Sequence, residues 1–490
     1  MQHDAPWTTD RLKLEREGPA TLADQIARHV EVAIAEGALQ SGGRLPSWRD
    51  LAAQLGVARG TVRAAYEKLS DRGLLVTAGS AGTRVADLLP PAASSAKAPA
   101  ECLEPLGSQY RSSRPLVFQM GVPAQDAFPA TLWARLHRQA VQSASLRTGH
   151  TDPLGLPDLR SAIASHVAIA RGIQCSPEQI IVTSGFRSGL SIALHAIGAA
   201  GKQAWVEDPG YPVTRLALAM AGVHPVAVPV DDAGLVVEWG RDRAPHAALA
   251  IVTPGQQAPS GVALAEHRRA ELIHWASSCG SWIIEDDYLA ELHLAGRSPG
   301  ALAAGKGAER VIHIGTFSKT IAPMVGIGFV VAPLPLARRL IDIATALSAP
   351  PNTALQLALS TFLSDGHYLR HLRRMRRLYA QRRLRLLETL SRSGIGAAVP
   401  AGLTVLLPLP DGFDDQRLSL DARVFSLGPA PLSPWYAGAS QPRSGLMLAV
   451  ANVLDRHLEQ SCRRLLAMID GYPEMASGPI ELGCGQCEVN

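Results

Sequence analysis

Cysteine is scarce in this chain. Cys102, Cys175, Cys279, Cys462, Cys484 and Cys487 are the only six in 490 residues. That density excludes a disulfide scaffold as the source of stability. Cys484 and Cys487 have CxxC spacing, but they stand in a polar tail with no second pair, and no metal or redox role is assigned to them. Long apolar runs are also lacking, and none reaches the length that spans a bilayer. Met1 to Pro6 carry no signal-peptide pattern. A cytoplasmic protein with no membrane partner is therefore expected. Charge of one sign is not in excess: the formal net charge is +4, which says little about partners. Internal repeats are missing too. What is present is a globular composition, 47% apolar and 18% charged. The length suggests two or three domains with ample core.

Two apolar stretches end in residues with chemistry. Val311 to Gly315 reads as a buried strand. Thr316, Phe317, Ser318 and Lys319 follow where the strand leaves the sheet, the usual ligand position in an open α/β sheet. A lysine there suits a Schiff base with a carbonyl cofactor. Thr316 and Ser318 suit hydrogen bonds to a phosphate. Upstream, Trp282, Ile283 and Ile284 run into Glu285, Asp286, Asp287 and Tyr288. Carboxylates at a strand end are costly to bury without a cation. A pyridinium nitrogen is such a cation. Asp286 facing that nitrogen, with Tyr288 near the ring hydroxyl, is the partner set pyridoxal 5'-phosphate (PLP) needs as an electron sink. A metal site or a helix N-cap cluster is the alternative for the same residues.

Two further segments fit. Ile180 to Thr183, Ser184, Gly185 and the run from Phe186 read as strand, glycine turn and helix. Free N–H groups at Gly185 and Phe186 suit a phosphate. Asp208-Pro209-Gly210-Tyr211-Pro212 supplies Tyr211, an aromatic that suits stacking on a ring. The order and wording of these segments resemble the aminotransferase domain of MocR-type regulators, a branch of the GntR family. That family's EDDYDSE stands here as Glu285 to Glu291, its GTFSK is intact at Gly315 to Lys319, and its DPGYP is intact at Asp208 to Pro212. The resemblance implies an α/β fold-type-I PLP-dependent domain over 116–474, with PLP as cofactor.

The first 88 residues hold 11 basic and 11 acidic side chains, so their positive charge is local. Arg44, Arg49, Arg59 and Arg63 fall between 44 and 63 against Asp50 alone. Nucleic-acid binding needs such a patch rather than a high total. Leu22, Ile26, Val30, Ala33 and Ile34 form one helical stripe. Ser47 reads as the N-cap of a helix through Leu55, with acidic Asp50 at its third position. Gly56 and Val57 make the turn, and Arg59 to Leu69 the next helix. Leu74 to Val76 and Thr83 to Val85 pair around Gly79 to Gly82. Together these predict a winged helix-turn-helix (α+β) over 1–88. A small helical docking domain is the alternative from pattern alone. Arg44 to Ala52 and Leu55 to Val62 resemble the GntR-type DNA-binding domain. The resemblance implies double-stranded DNA as partner, with contacts at Arg49, Arg59, Thr61 and Arg63 and the wing near Gly82 in the minor groove. Arg44 is a phosphate candidate on charge.

Residues 89–115 are rich in Ala, Pro and Ser and read as a linker. Residues 475–490 read as a tail. Alternating strands and helices over 180–335 predict a mostly parallel sheet. Arg370 to Arg385 holds eight arginines. Leu372, Met375, Tyr379 and Leu386 keep a buried stripe there, and the arginines are expected to solvate the other face.

Some positions depart from the family's pattern. The arginine that pairs with the cofactor phosphate is replaced by Gly326, and TPSHQYPTG reads Thr253 to Gly261 with Gln256 and Ala258 at the changed positions. The arginine that grips a substrate carboxylate aligns with Met447. Three functions stay open at this point. One is a regulator that senses PLP, or a small amine or amino-acid effector through it. Another is a working aminotransferase with an appended DNA-binding domain. The third is a regulator whose large domain has lost PLP. A head-to-tail homodimer is implied by resemblance for the regulators.

Overall fold

The computed structural model describes residues 14–15, 20–35, 38–40, 42–77 and 82–86, then 115–145, 151–294, 296, 299–394, 398–438 and 440–471. The linker over 89–114, the wing tip from Gly79 to Ala81 and the tail with Cys484 and Cys487 lie outside the described residues. The chain divides into two compact units, Met1–Ser108 and Gln109–Asn490.

In the first unit, helix α1 (Leu22–Ala35) buries Ile26, Val30 and Ala33. Helix α2 (Trp48–Leu55) begins at Ser47, whose Oγ accepts from the Asp50 backbone N–H at 3.2 Å and donates to the Asp50 carboxylate at 2.7 Å. This satisfies one of the donors a helix start leaves open. Gly56 ends α2 at φ 60°, a left-handed conformation that glycine adopts without strain. Helix α3 (Arg59–Asp71) packs Val62, Ala65, Tyr66 and Leu69 inward. Strands β1 (Leu75–Thr77) and β2 (Thr83–Val85) pair antiparallel, with Leu75 opposite Val85. The hairpin starts one residue later than the sequence suggests. Gly43 and Leu45 bond to its outer edge: the Val85 N–H donates to the Gly43 carbonyl at 2.9 Å and the Leu45 N–H to the Thr83 carbonyl at 3.0 Å.

The second unit is built on an eight-stranded sheet. Its strands are β3 (Ile180–Thr183), β4 (Gln203–Asp208), β5 (His224–Asp231), β6 (Gly234–Leu235), β7 (Leu249–Val252), β8 (Trp282–Asp287), β9 (Val311–Thr316) and β10 (Gly328–Val331). Their spatial order is β3-β10-β9-β8-β7-β4-β5-β6. Neighbours from β9 through β5 are parallel; β10 runs antiparallel between β3 and β9, and β6 antiparallel to β5. The mostly parallel expectation therefore holds, with β10 as the reversed strand. Strands β3, β7 and β10 are buried along their whole length, as sheets covered on both faces require.

Beyond the sheet, helices Leu334–Leu347, Thr353–Ser364 and His367–Arg392 follow in order. A second, antiparallel sheet then forms from β11 (Val399–Ala401), β12 (Thr404–Pro408), β13 (Ala430–Pro431) and β14 (Gly445–Ala449), in the order β11-β12-β14-β13. The sequence reading did not foresee it, because its strands are short and separated by a helix. In helix His367–Arg392, Leu372, Met375, Tyr379 and Leu386 are buried as expected, and Arg373, Arg374 and Arg377 are exposed. Arg382 corrects that reading. It is buried at 6% exposure, and its Nη2 meets the Asp126 carboxylate at 2.5 Å. One arginine of the run is thus a core fastening. Among the described residues no helix is long and apolar enough to cross a membrane.

Candidate cofactor site and nucleic-acid face

Strand direction brings the candidate residues to one edge of the large sheet. Strands β8 and β9 are parallel neighbours with Asp287 opposite Gly315, so Asp286 and Lys319 leave the sheet at the same end. Strand β10 pairs Gly328 with both Thr316 and Thr183, which brings the end of β3 to that edge as well. Helix Phe186–Ile197 starts there from Gly185, at φ 99°. Strand β4 ends at Asp208, just before Tyr211.

Two of the three carboxylates of β8 have partners of their own. Glu285 is fully buried and accepts from the Leu302 and Ala303 N–H groups at 2.7 and 3.1 Å, with His313 Nδ1 at 2.9 Å. These partners, His313 foremost, hold its pKa below the ordinary carboxylate range against the effect of burial. Asp287 pairs with Arg171 at 2.5 Å, both side chains almost wholly covered. Asp286 is left over. It is buried at 8% exposure, and its Oδ1 has no hydrogen-bond partner. Burial, with the charges of Asp287 and Glu207 nearby, pushes its pKa well above the ordinary range. The Lys319 charge opposes this shift, but Oδ1 remains a buried oxygen without a hydrogen bond, and a protonated pyridine nitrogen would supply the missing partner. The N-cap alternative does not apply, since Asp286 lies within a strand. Among the described residues no group of three or more His, Cys, Asp or Glu side chains gathers as metal ligands would.

Lys319 sits half-buried in the turn after β9, and its Nζ donates to the Gly121 carbonyl at 3.0 Å. Burial and the nearby Arg187 guanidinium lower its pKa, while Asp286 raises it. A lysine with lowered pKa is the form that attacks a carbonyl. Gly121 has φ 75°, a left-handed conformation that favours glycine, and a Cβ there would lie 2.7 Å from the lysine nitrogen. The Thr316 hydroxyl oxygen accepts from the Ser318 N–H at 3.3 Å, leaving its proton for another acceptor. Burial raises the Tyr288 phenol above its ordinary range, and Gln256 hydrogen-bonds to it. Gln256 Oε1 is itself buried without a partner. The Tyr211 ring lies 5.7 Å from Trp435. Glu207 is buried with Asp286 around the same small cavity, and its carboxylate accepts from the Thr253 N–H and hydroxyl at 3.0 and 2.6 Å.

Lys319, Asp286, Tyr288, Tyr211, Gly185, Phe186, Thr316 and Ser318 therefore share one sheet edge. The two orphaned oxygens, the helix start and the lysine fit PLP. Sequence reasoning missed Gly121, Arg171 and Glu207, whose roles come from contacts distant in the chain. Arg187 stood inside a motif already singled out, and its charge at a helix start was visible there.

The first unit presents Arg44, Arg49, Arg59 and Arg63 as exposed side chains, with Thr61 and Gly82 half-buried. Arg49 lies over the Trp48 ring at 4.8 Å. Arg63 pairs with Glu67 at 2.8 Å along one edge of α3. Gly82, at φ 88°, leaves room for Arg44: a Cβ there would lie 3.2 Å from the arginine Nε.

Residues 116–419 match the family described as aminotransferase class I and II, and residues 22–85 match bacterial regulatory proteins of the gntR family. The chain is 32% identical over 472 residues to the probable rhizopine catabolism regulatory protein MocR of Rhizobium meliloti, covering 93% of this chain and 95% of that protein. It is 35% identical over 384 residues to the HTH-type pyridoxine biosynthesis transcriptional regulator PdxR of Corynebacterium glutamicum, covering 77% and 81%. Among solved structures, an archaeal alanine:glyoxylate aminotransferase superposes with TM-score 0.68 at 21% identity, over 75% of this chain and 93% of that one. The last likeness establishes the fold.

Proposed function

The chain belongs to the MocR branch of the GntR family, a DNA-binding transcriptional regulator with an aminotransferase-like domain, and from that premise we propose that it binds PLP through Lys319 and uses it to sense PLP itself or an amine-bearing ligand. The aminotransferase domain implies PLP dependence. The observation that carries the finer reading is Asp286: buried, without a partner at Oδ1, and on the strand beside the one that delivers Lys319.

PLP supplies an electron sink and a reactive carbonyl when bound. In this reading Lys319 holds it covalently, and Asp286 keeps the ring nitrogen protonated. Tyr288, steadied by Gln256, meets the ring hydroxyl. Tyr211 stacks on the ring. The N–H groups at Gly185 and Phe186, with Thr316 and Ser318, receive the phosphate. Met447, fully buried on β14, offers no cation to a substrate carboxylate, so efficient transamination of α-amino acids is not part of the proposal. Arg49, Arg59, Thr61 and Arg63 meet DNA bases or backbone, Arg44 meets phosphate, and the wing at Gly82 enters the minor groove. The protein works in the cytoplasm as a head-to-tail homodimer on two half-sites. Adding PLP to the purified chain tests the cofactor reading: a visible absorption band supports it, and a colourless protein that leaves PLP free in the filtrate refutes it.

A further inference from the structure

An apolar wall stands beside Lys319. Ala258, Leu432, Trp435 and Met447 are buried in it, and Met120, Tyr211 and Tyr288 pack against it. Met120 precedes Gly121, whose carbonyl accepts from the Lys319 amine. The wall thus continues directly from the groups that surround the candidate cofactor.

Its polar backbone is already used elsewhere. The Asp415 carboxylate accepts from the Leu432 and Ser433 N–H groups at 3.1 and 2.9 Å. Arg215 donates to the Trp435 and Pro434 carbonyls at 2.8 and 2.5 Å. Asp208 accepts from the Ala437 and Ser440 N–H groups at 2.6 and 2.8 Å. Met447 is fixed at the centre of its sheet, opposite Leu406 on β12 and Ala430 on β13. These ties draw the loop's hydrogen-bonding groups away from the wall. What remains there is hydrocarbon and aromatic ring, with tyrosine hydroxyls among the polar atoms. Arg215 is committed to those backbone carbonyls, and Arg187 and Arg443 are exposed and belong to other segments.

We propose that this wall selects a primary amine with an apolar body and no carboxylate as the effector. The inference rests on PLP being held at Lys319. An amine's apolar body gains by leaving water against the wall. A carboxylate in the same place loses its hydration and meets no charged side chain among the wall's residues in return.

The full chain loaded with PLP is titrated with 2-phenylethylamine, with L-phenylalanine, which differs from it by the carboxylate, and with ethanolamine, an amine with a polar body. The visible absorption band is the readout. 2-Phenylethylamine is expected to shift the band at a concentration lower by roughly tenfold or more than either other amine. Met447→Leu should keep that order, and Met447→Arg should move it toward L-phenylalanine. Should Met447→Arg fail to fold, the ranking on the unmodified chain still decides. A normal band on which L-phenylalanine matches or exceeds 2-phenylethylamine overturns the wall and leaves the Lys319 reading standing. A chain that forms no band with PLP overturns both.

Discussion

Arg171 and Asp287 form a buried ion pair at 2.5 Å, their side chains 3% and 7% exposed and 116 residues apart in sequence. The pair commits Arg171 to Asp287, while Asp286, its neighbour on β8, keeps an Oδ1 without a hydrogen bond. Arg171 also donates to the Pro299 carbonyl at 2.8 Å, so it ties helix Pro157–Arg171 to the loop beyond β8. Arg171→Met leaves Asp287 buried without that cation and should cost about 3–5 kcal/mol. Arg63→Met breaks an exposed i,i+4 pair and should cost about 0.5 kcal/mol or less. Urea denaturation of both variants checks the contrast. Equal losses would show that the buried pair contributes no more than a surface one.

Glu207 gives a pH signature. Burial pushes its carboxyl up to about 7, although Thr253 and Gln257 oppose this. An unfolded glutamate titrates near 4.3. Between those values the folded chain holds a proton that the unfolded chain has released, so this group makes stability fall as pH rises through the window. The fall is of order 3 kcal/mol, complete above about pH 7. Glu207→Gln should flatten the stability profile between about pH 4.5 and 7 while leaving its other features in place. Chemical denaturation across that range measures it, and an unchanged slope in the variant would rule the assignment out.

On the DNA face, Arg59 and Arg63 stand four residues apart on α3 and project along one edge. A bidentate arginine–guanine contact discriminates by about 1–3 kcal/mol. Arg59→Ala should weaken specific binding by roughly tenfold or more and relax preference at one base pair per half-site. Arg44→Ala should weaken specific and non-specific DNA alike and make the salt slope shallower by about one unit. Fluorescence anisotropy at several salt concentrations separates the two. Identical effects would mean that neither reads bases.

The arginine-rich helix His367–Arg392 supplies the control. Arg373 and Arg377 are exposed, so changing both to glutamine should leave promoter affinity nearly unchanged. Arg382→Gln should instead lower stability, because it strips a buried partner from Asp126 and from the Ala451 carbonyl. Loss of DNA binding in the double variant, with Arg59→Ala harmless, would transfer the DNA contact to this helix.

Local signals carried much of this architecture. The strand endings at Asp286 and Lys319, the cap at Ser47 and the stripe of Val62, Ala65, Tyr66 and Leu69 are all set within a few residues of chain. Partners brought together by the fold were not legible. Gly121 under Lys319, Arg171 on Asp287 and Arg382 on Asp126 join segments more than 100 residues apart. The antiparallel sheet from β11 to β14 was hidden for a related reason: a two-residue strand such as β13 carries no periodicity. The wall around Met447 was visible only as a missing arginine. That it is a packed apolar surface follows from strand register, which sequence pattern does not report.

Covalent capture at Lys319 is the central claim. Borohydride reduction of the PLP-treated chain, followed by peptide mapping, should place a stable pyridoxyl group on Lys319, and Lys319→Ala should abolish it while the chain stays folded. Lys306, on a surface turn, is the nearest lysine downstream of β8 and serves as the internal reference. A pyridoxyl group found on Lys306 or any other lysine, or one that survives Lys319→Ala, contradicts the account.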